Sequence, residues 1–248
     1  MVGKDLRQVL DSYPYLFSNI LWLAGLLLVV RLLPSSVHRR LVISLGLIMM
    51  PSFLFSPVLT PDYWSPVRVG GWTVGIEDAL CSFNVGASAF LPAAFLFRDR
   101  LVPSRQSVPR IGHFLAAIAV GQALYFLLWF AGVSSMSALI LTQSVAVVLL
   151  LLLCPHLWQF CLGNGVAFTL SYCAFLKVLF LIWPNFLACW RTAPPWGALL
   201  FGIPFGEVAG AASFGVFWFL FAGYIFDLRV AAFAGSASFA AFRRQPAR

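Results

Sequence analysis

Seven runs of about 20 apolar residues succeed one another along this 248-residue chain, and nearly all of its charge lies between them. A run of that length crosses the hydrocarbon of a bilayer as a helix, because in lipid every backbone N–H and C=O must be satisfied within its own segment. The runs cover roughly residues 15–33, 41–60, 72–97, 111–133, 136–154, 157–183 and 200–226. With 61% of residues hydrophobic and 10% charged, the chain has more apolar surface than a water-soluble core can bury. The expectation is one multi-pass, all-α integral membrane domain over 1–248. Pro51 removes a helix hydrogen bond inside the second run and predicts a kink there.

The formal charge of +8 does not point to nucleic acid, since the basic residues sit in short connections rather than along one polar face. Placing the N-terminus outside and the C-terminus inside puts eleven basic residues in the inner connections: Arg31, Arg39, Arg40, Arg98, Arg100, Arg105, Arg110, Arg229, Arg243, Arg244 and Arg248. The outer ones then hold four, Lys4, Arg7, Arg68 and Arg191. That bias sets the expected orientation, with the cell membrane as the location. Residues 1–15 carry mixed charge with no cleavage signature and are expected to be retained. Cys81, Cys154, Cys161, Cys173 and Cys189 form no CxxC pair and read as small core residues. His38, His113 and His156 are too scattered to suggest a metal site.

Two of the runs open alike. Gly75-Ile76-Glu77-Asp78 leads to Gly86, and Gly202-Ile203-Pro204-Phe205-Gly206-Glu207 leads to Gly215. A shift of 129 residues superposes Asp78 on Glu207, Gly86 on Gly215, Phe90 on Phe219 and Arg100 on Arg229. It also maps the first three runs onto the last three and leaves the fourth as a linker. The sequence therefore predicts a parallel 3+1+3 repeat, with halves over about 15–97 and 136–227 joined by a linker helix over about 111–133.

Ionisable groups inside a bilayer are expensive and mark function by default. Glu77, Asp78 and Glu207 would lie about one helical turn below the outer interface, where the helix dipole favours negative charge. One reading is structural: helix capping, or pairing with Lys177 or Arg191. The other is chemical: an apolar setting favours the protonated acid, and two acids on one cavity divide the giving and taking of a proton. Lys177 would either snorkel to the interface or hold one carboxylate ionised. Gly202, Gly206 and Gly210 form a small-residue stripe suited to close helix packing, or to a flat ligand beside Glu207. Asn84 falls on the Glu77 face and needs a hydrogen-bond partner. Tyr63, Trp64, Trp72, Trp190 and Trp196 fit an outer aromatic belt, and rings that line a cavity would stabilise a cation.

Taken together, Pro61-Asp62-Tyr63-Trp64-Ser65-Pro66, Gly75-Ile76-Glu77-Asp78, Trp190, Gly197, Phe201-Gly202-Ile203-Pro204-Phe205-Gly206-Glu207 and Phe214-Gly215-Val216-Phe217-Trp218 resemble the membrane-embedded lycopene cyclase domain. This is the type found as two small bacterial subunits or fused in fungi. The resemblance implies a cofactor-independent, redox-neutral isomerisation of a linear carotenoid or related isoprenoid. An acid protonates a terminal double bond, the cation closes a ring, and a base removes a proton. It implies catalytic roles for Glu77, Asp78 and Glu207; around them the supporting candidates are Asn84, Lys177 and Pro204, and the substrate-lining candidates Tyr63, Trp64, Trp190, Gly206, Gly210 and Trp218. Gly206 stands where that family has an acid, and Gly75 where it tends to have proline. The alternatives are a small-solute carrier with the same repeat, or a non-catalytic carotenoid-binding subunit. The partners expected are membrane lipid, the polyene, and either a partner subunit or a second copy.

Overall fold

Continuous apolar sequence becomes continuous helix, and the breaks fall at glycine and proline. The computed structural model describes residues 10–59, 62–103, 111–191 and 194–231. Lys4, Arg7, Thr60, Pro61, Arg105, Arg110, Arg243, Arg244 and Arg248 lie outside the described residues. The helices are α1 (Pro14–Leu32), α2 (Ser36–Met49), the short α3 (Ser56–Leu59), α4 (Ile76–Leu96), α5 (Ile111–Phe130), α6 (Ser135–Leu153), α7 (Trp158–Ile182) and α8 (Phe205–Ile225). Among the described residues, six helical stretches are long and apolar enough to cross a membrane: Pro14–Leu32, Ser36–Val58, Ile76–Leu96, Ser135–Leu153, Pro155–Ile182 and Phe205–Ile225. The linker run is helical as α5, with a shorter apolar stretch over Leu115–Phe130. Leu28, Leu32, Leu127, Leu152 and Leu181 are exposed on the outside of the bundle, as suits a protein whose solvent is lipid.

Three expected run boundaries shift for local reasons. The second run is α-helical only to Met49, then tightens into a 3₁₀ stretch, Met50–Phe55, around Pro51, and resumes as α3. The third starts at Ile76 rather than 72, after a turn in which Gly70 and Gly71 take φ of +79° and +68°. In the seventh, residues 199–204 are a hairpin and not helix. β2 (Leu199–Leu200) pairs with β3 (Ile203–Pro204), and Phe201 and Gly202 between them are both left-handed, the backbone that a two-residue hairpin turn requires. Gly202 therefore belongs to this turn rather than to a helix-packing stripe.

The bundle is assembled from helix pairs within each end of the chain: α2 packs along α4, and α7 along α8. Glycines allow the close approach. A Cβ on Gly86 would collide with Met49 of α2, and one on Gly215 would meet Phe168 and Gly165 of α7 at about 3.0 and 3.1 Å. α4 and α8 then meet in the centre, where the Phe90 and Phe219 rings stack 6.0 Å apart at 15°. Trp218 stacks with Phe214 and Phe221 and donates its indole N–H to the Gly86 carbonyl at 2.8 Å. Where α4 contains Pro92, the buried Asn164 of α7 enters its hydrogen-bond ladder. The Asn164 amide accepts the Ala93 N–H at 3.0 Å and donates to the Ala89 carbonyl at 2.8 Å, bridging two backbone groups one turn apart beside the proline.

At the end of the bundle away from the acids, β1 (Leu101–Pro103) follows α4 and β4 (Leu228–Val230) follows α8. The two pair antiparallel with Leu101 opposite Val230 and Val102 opposite Arg229. Each strand carbonyl ladder is also tied to a helix by a histidine: His38 Nε2 lies 3.2 Å from the Leu101 carbonyl, and His156 Nε2 lies 3.1 Å from that of Leu228.

Candidate functional site

The acids sit in the first turns of α4 and α8, and the backbone before each helix shapes its surroundings. Ahead of α4, Asp78 turns back to accept the Gly75 N–H at 2.8 Å, a cap on an orphan helix donor. The same carboxylate receives Arg68 Nε at 2.7 Å and Arg68 Nη2 at 3.0 Å, Ser56 Oγ at 2.7 Å and Tyr15 Oη at 3.1 Å. Arg68 also donates to Ser56 Oγ at 2.8 Å. Asp78 is 2% exposed and Arg68 5%, so this is a buried, two-pronged ion pair with its remaining valences filled. The capping reading holds for Asp78. The cation is Arg68, not Lys177 or Arg191.

Glu77, 1% exposed, folds over the loop in front of α4. Its Oε1 accepts the Val69 N–H at 2.6 Å, while its Oε2 has no hydrogen-bond partner among the described residues. Gly75 is needed for this path, since a Cβ there would collide with Oε2 of Glu77.

Glu207 has another kind of environment. It is half-buried and receives three aromatic donors: Tyr63 Oη at 2.9 Å and Trp190 Nε1 at 2.7 Å on Oε1, and Tyr172 Oη at 2.6 Å on Oε2. Among the described residues no cation pairs with it. An indole N–H only donates, so Trp190 fixes Oε1 as an acceptor, and any proton on the carboxyl belongs on Oε2, facing Tyr172. Burial, and after it the charge of Glu207, raise the Tyr63 hydroxyl well above its ordinary pKa, which keeps it a donor. Tyr63 reaches this position over Gly206, where a Cβ would stand 2.5 Å from its hydroxyl oxygen. The space over Gly206 is therefore filled by a tyrosine and does not admit a flat ligand.

Rings continue outward from these donors. Trp190 contacts Trp64, Phe180 and Phe186 with centroids 6.1, 5.6 and 5.3 Å away, and Trp22 lies 5.7 Å from Tyr172 and 4.5 Å from Phe175. The loops that carry Tyr63 and Trp190 are bound to each other: Trp64 bridges Trp190, Ser65 N donates to the Cys189 carbonyl at 2.8 Å, and Arg191 N donates to the Tyr63 carbonyl at 2.9 Å. Asp62 anchors the same loop to the start of α6 by accepting from the Ser135 N–H at 2.8 Å and from the Ser135 hydroxyl. Pro204 and the 196–198 segment set the start of α8, with the N–H groups of Phe205 and Gly206 donating to the carbonyls of Ala198 and Trp196.

Of the residues singled out from sequence, Tyr63, Trp64, Trp190, Pro204 and Gly206 gather at Glu207, and Asp78 stands at the matching depth on α4. Others do not join them. Lys177 is exposed on α7, close to Gly202, and forms no ion pair among the described residues. Asn84 finds its partner in Asn19, donating to the backbone carbonyl at 2.9 Å, one helix away from Glu77. Gly210 packs against Met136, where an added Cβ would meet the methyl carbon at 2.7 Å. Trp218, three turns along α8, belongs to the central core. Sequence reading passed over Tyr15, Ser56, Arg68, Tyr172 and Asn164, of which Arg68 carried a signal: it precedes the first acid-bearing helix by only a short loop.

Among the described residues no three His, Cys, Asp or Glu side chains converge as metal ligands. Comparison of the chain with protein-family models, curated proteins and solved structures gives no match. The resemblance to the lycopene cyclase domain thus stands on the short motifs themselves, and what is established from sequence and structure is a helical chain with the character of a membrane protein.

Proposed function

We propose that the chain is a seven-span protein of the cell membrane, built as two parallel halves, 15–97 and 136–227, around a linker helix, with the acids toward the outside. Supporting the repeat, residues 129 apart face one another: Phe90 stacks on Phe219, and Leu101 lies opposite Val230. Self-facing pairs of this kind are what a twofold relation between halves generates. Gly86 and Gly215, also 129 apart, each press against the preceding long helix of their own half.

Within that frame we infer a lycopene cyclase-like isomerase that closes an end ring of a linear carotenoid or related polyene by proton transfer, without a cofactor. The observation that carries this reading is the contrast at Glu207, an acid with no cation paired to it among the described residues, held by Tyr63, Tyr172 and Trp190 among clustered rings. Such a carboxyl can exchange a proton from Oε2, and ring faces can stabilise the cation that follows. Asp78, neutralised by Arg68, is fixed as a carboxylate and serves to hold the site. A carrier fits less well. Where α4 meets α8 the core is filled by Ala87, Phe90, Ala93, Phe219, Leu220 and Ala222, which packs the contact between the two acid-bearing helices with apolar side chains.

The test is carotenoid analysis of a lycopene-producing host. Membranes containing this chain are expected to accumulate a cyclic product, and Glu207→Gln to lose it. Unchanged lycopene in the presence of folded wild-type protein overturns the isomerase reading. A second reading, the carotenoid-binding subunit, is favoured by the saturation of Glu207 with three donors, and lycopene co-purifying unaltered would select it.

A further inference from the structure

A linear polyene is held in the hydrocarbon of the bilayer, so its way to Glu207 runs sideways between helices rather than from water. α8, which carries Glu207, packs directly along α6 and α7 and meets α4 in the centre. α1 and α7 each pack on α4 as well, and the space between these two is spanned by rings. We propose that Trp22 of α1 is the gate of a lateral entry between α1 and α7, through which one end of a polyene passes from the bilayer to Oε2 of Glu207. The proposal rests on the polyene reading above and adds the route to that site.

Three observations carry it. On its inner side the Trp22 ring lies 5.7 Å from the ring of Tyr172, and the Tyr172 hydroxyl donates to Oε2 of Glu207 at 2.6 Å. Trp22 is thus one side chain away from the oxygen on which a proton of Glu207 belongs. Whatever takes its place lies against Tyr172.

The second observation is how the indole is held. Its N–H donates to Ser88 Oγ of α4 at 3.0 Å, and its ring lies 4.5 Å from that of Phe175 on α7. These contacts are made by side chains alone, so a change of rotamer at Trp22 breaks them without moving the backbone of α1.

The third is the space outside. Asn19, Leu26 and Val30 lie on one flank of Trp22 along α1 and are buried. Gly25 lies on the other flank and is exposed, and a Cβ there would meet no atom within 4 Å among the described residues. Trp22, Ser88, Tyr172 and Phe175 are themselves only part-buried, unlike the core rings of Phe90 and Phe219. Accessible surface therefore persists on both sides of the indole, from Gly25 outside it to Tyr172 within. A flat conjugated chain also gains from these ring faces what a saturated acyl chain does not.

Transfer of lycopene from donor vesicles to the full chain in nanodiscs, followed by the absorbance change on binding, measures entry and exit. A Glu207→Gln background keeps chemistry out of the measurement. Gly25→Trp plugs the open space beside the gate and leaves the packed side of α1 alone. It is expected to slow entry and exit alike by about tenfold, the effect of one more aromatic pair that has to part, with the amount bound at equilibrium unchanged. Trp22→Ala should speed both by about the same factor. Gly121→Trp, at an equally open glycine of α5, should exchange lycopene at the unsubstituted rate. A merely structural role would alter the amount bound and not the two rates together. Rates untouched by Gly25→Trp, or slowed as much by Gly121→Trp, overturn the gate and leave the isomerase reading to wild-type cyclisation. A chain that takes up no lycopene in either background overturns the gate and the polyene reading together.

Discussion

The two acid-bearing helices begin alike in sequence, yet their carboxylates live in opposite chemistries. Asp78 is buried, met by both arms of an arginine, and bonded to its own helix terminus. Glu207 is half-buried and has aromatic donors and, among the described residues, no cation, and the residue before it in α8 is Gly206, which leaves room for Tyr63 to reach it. The same position on two alike-starting helices can thus hold either an ion-paired carboxylate or one met by neutral donors alone. What decides is which side chains reach the start of the helix: the segment before α4 delivers a guanidinium to Asp78, while Glu207 receives a phenol from that same segment, another from α7 and an indole from the loop before α8.

That contrast makes uneven demands on stability, and the largest should appear at the clamp. Arg68→Ala leaves Asp78 charged and buried, and breaking such a pair costs about 3–5 kcal/mol. Thermal unfolding in detergent should show it, and the double change Arg68→Met with Asp78→Leu should restore much of the loss. If Arg68→Ala unfolds like wild type, Asp78 is not the clamp described here. Next comes Gly206→Ala, where the added methyl meets Tyr63 and overpacking of about 1–3 kcal/mol is expected. Its companion Gly206→Ala with Tyr63→Phe should recover little, because ring carbons that phenylalanine keeps would also stand 2.7 and 2.8 Å from the methyl; full recovery would instead locate the strain at the hydroxyl.

Smaller still is Tyr172→Phe, which removes one hydrogen bond from Glu207 at a cost of about 1 kcal/mol. Smallest should be Glu207→Gln, which keeps the shape and can still accept from Trp190; unfolding should change by about 1 kcal/mol or less while cyclisation is lost. A Glu207→Gln protein that unfolds as readily as Arg68→Ala would erase the distinction between the two acids and assign both to the scaffold.

Much of the fold could be read from the chain because lipid imposes a crude rule: apolar length becomes helix. Pro51 and the glycines before α4 then marked where that rule fails. Which helix face meets which neighbour was not legible, since a span that is apolar all round gives no stripe to follow. For that reason Tyr15 and Tyr172 were hidden among dozens of similar residues, although each bonds an acid. Asn164 was hidden as well, because its role depends on Pro92 in a different helix. Arg68 was counted as a loop charge, which orients a membrane protein, when its side chain had left the loop for the interior. Gly206 looked like a deletion from a pattern, whereas its neighbour in space, 143 residues back in sequence, explains it.

The pairing of β1 with β4 bears on how the two acid-bearing helices are held to one another. Its register places Leu101 opposite Val230, with Val102 opposite Arg229 and the Ala231 N–H donating to the Arg100 carbonyl at 2.7 Å. Each three-residue strand covers the other's edge, so parting the end of α4 from the end of α8 would leave unpaired backbone groups on both. The short strand pair is thus a tie between the two acid-bearing helices at the end remote from their acids, and a shift of one strand is passed to the helix before the other.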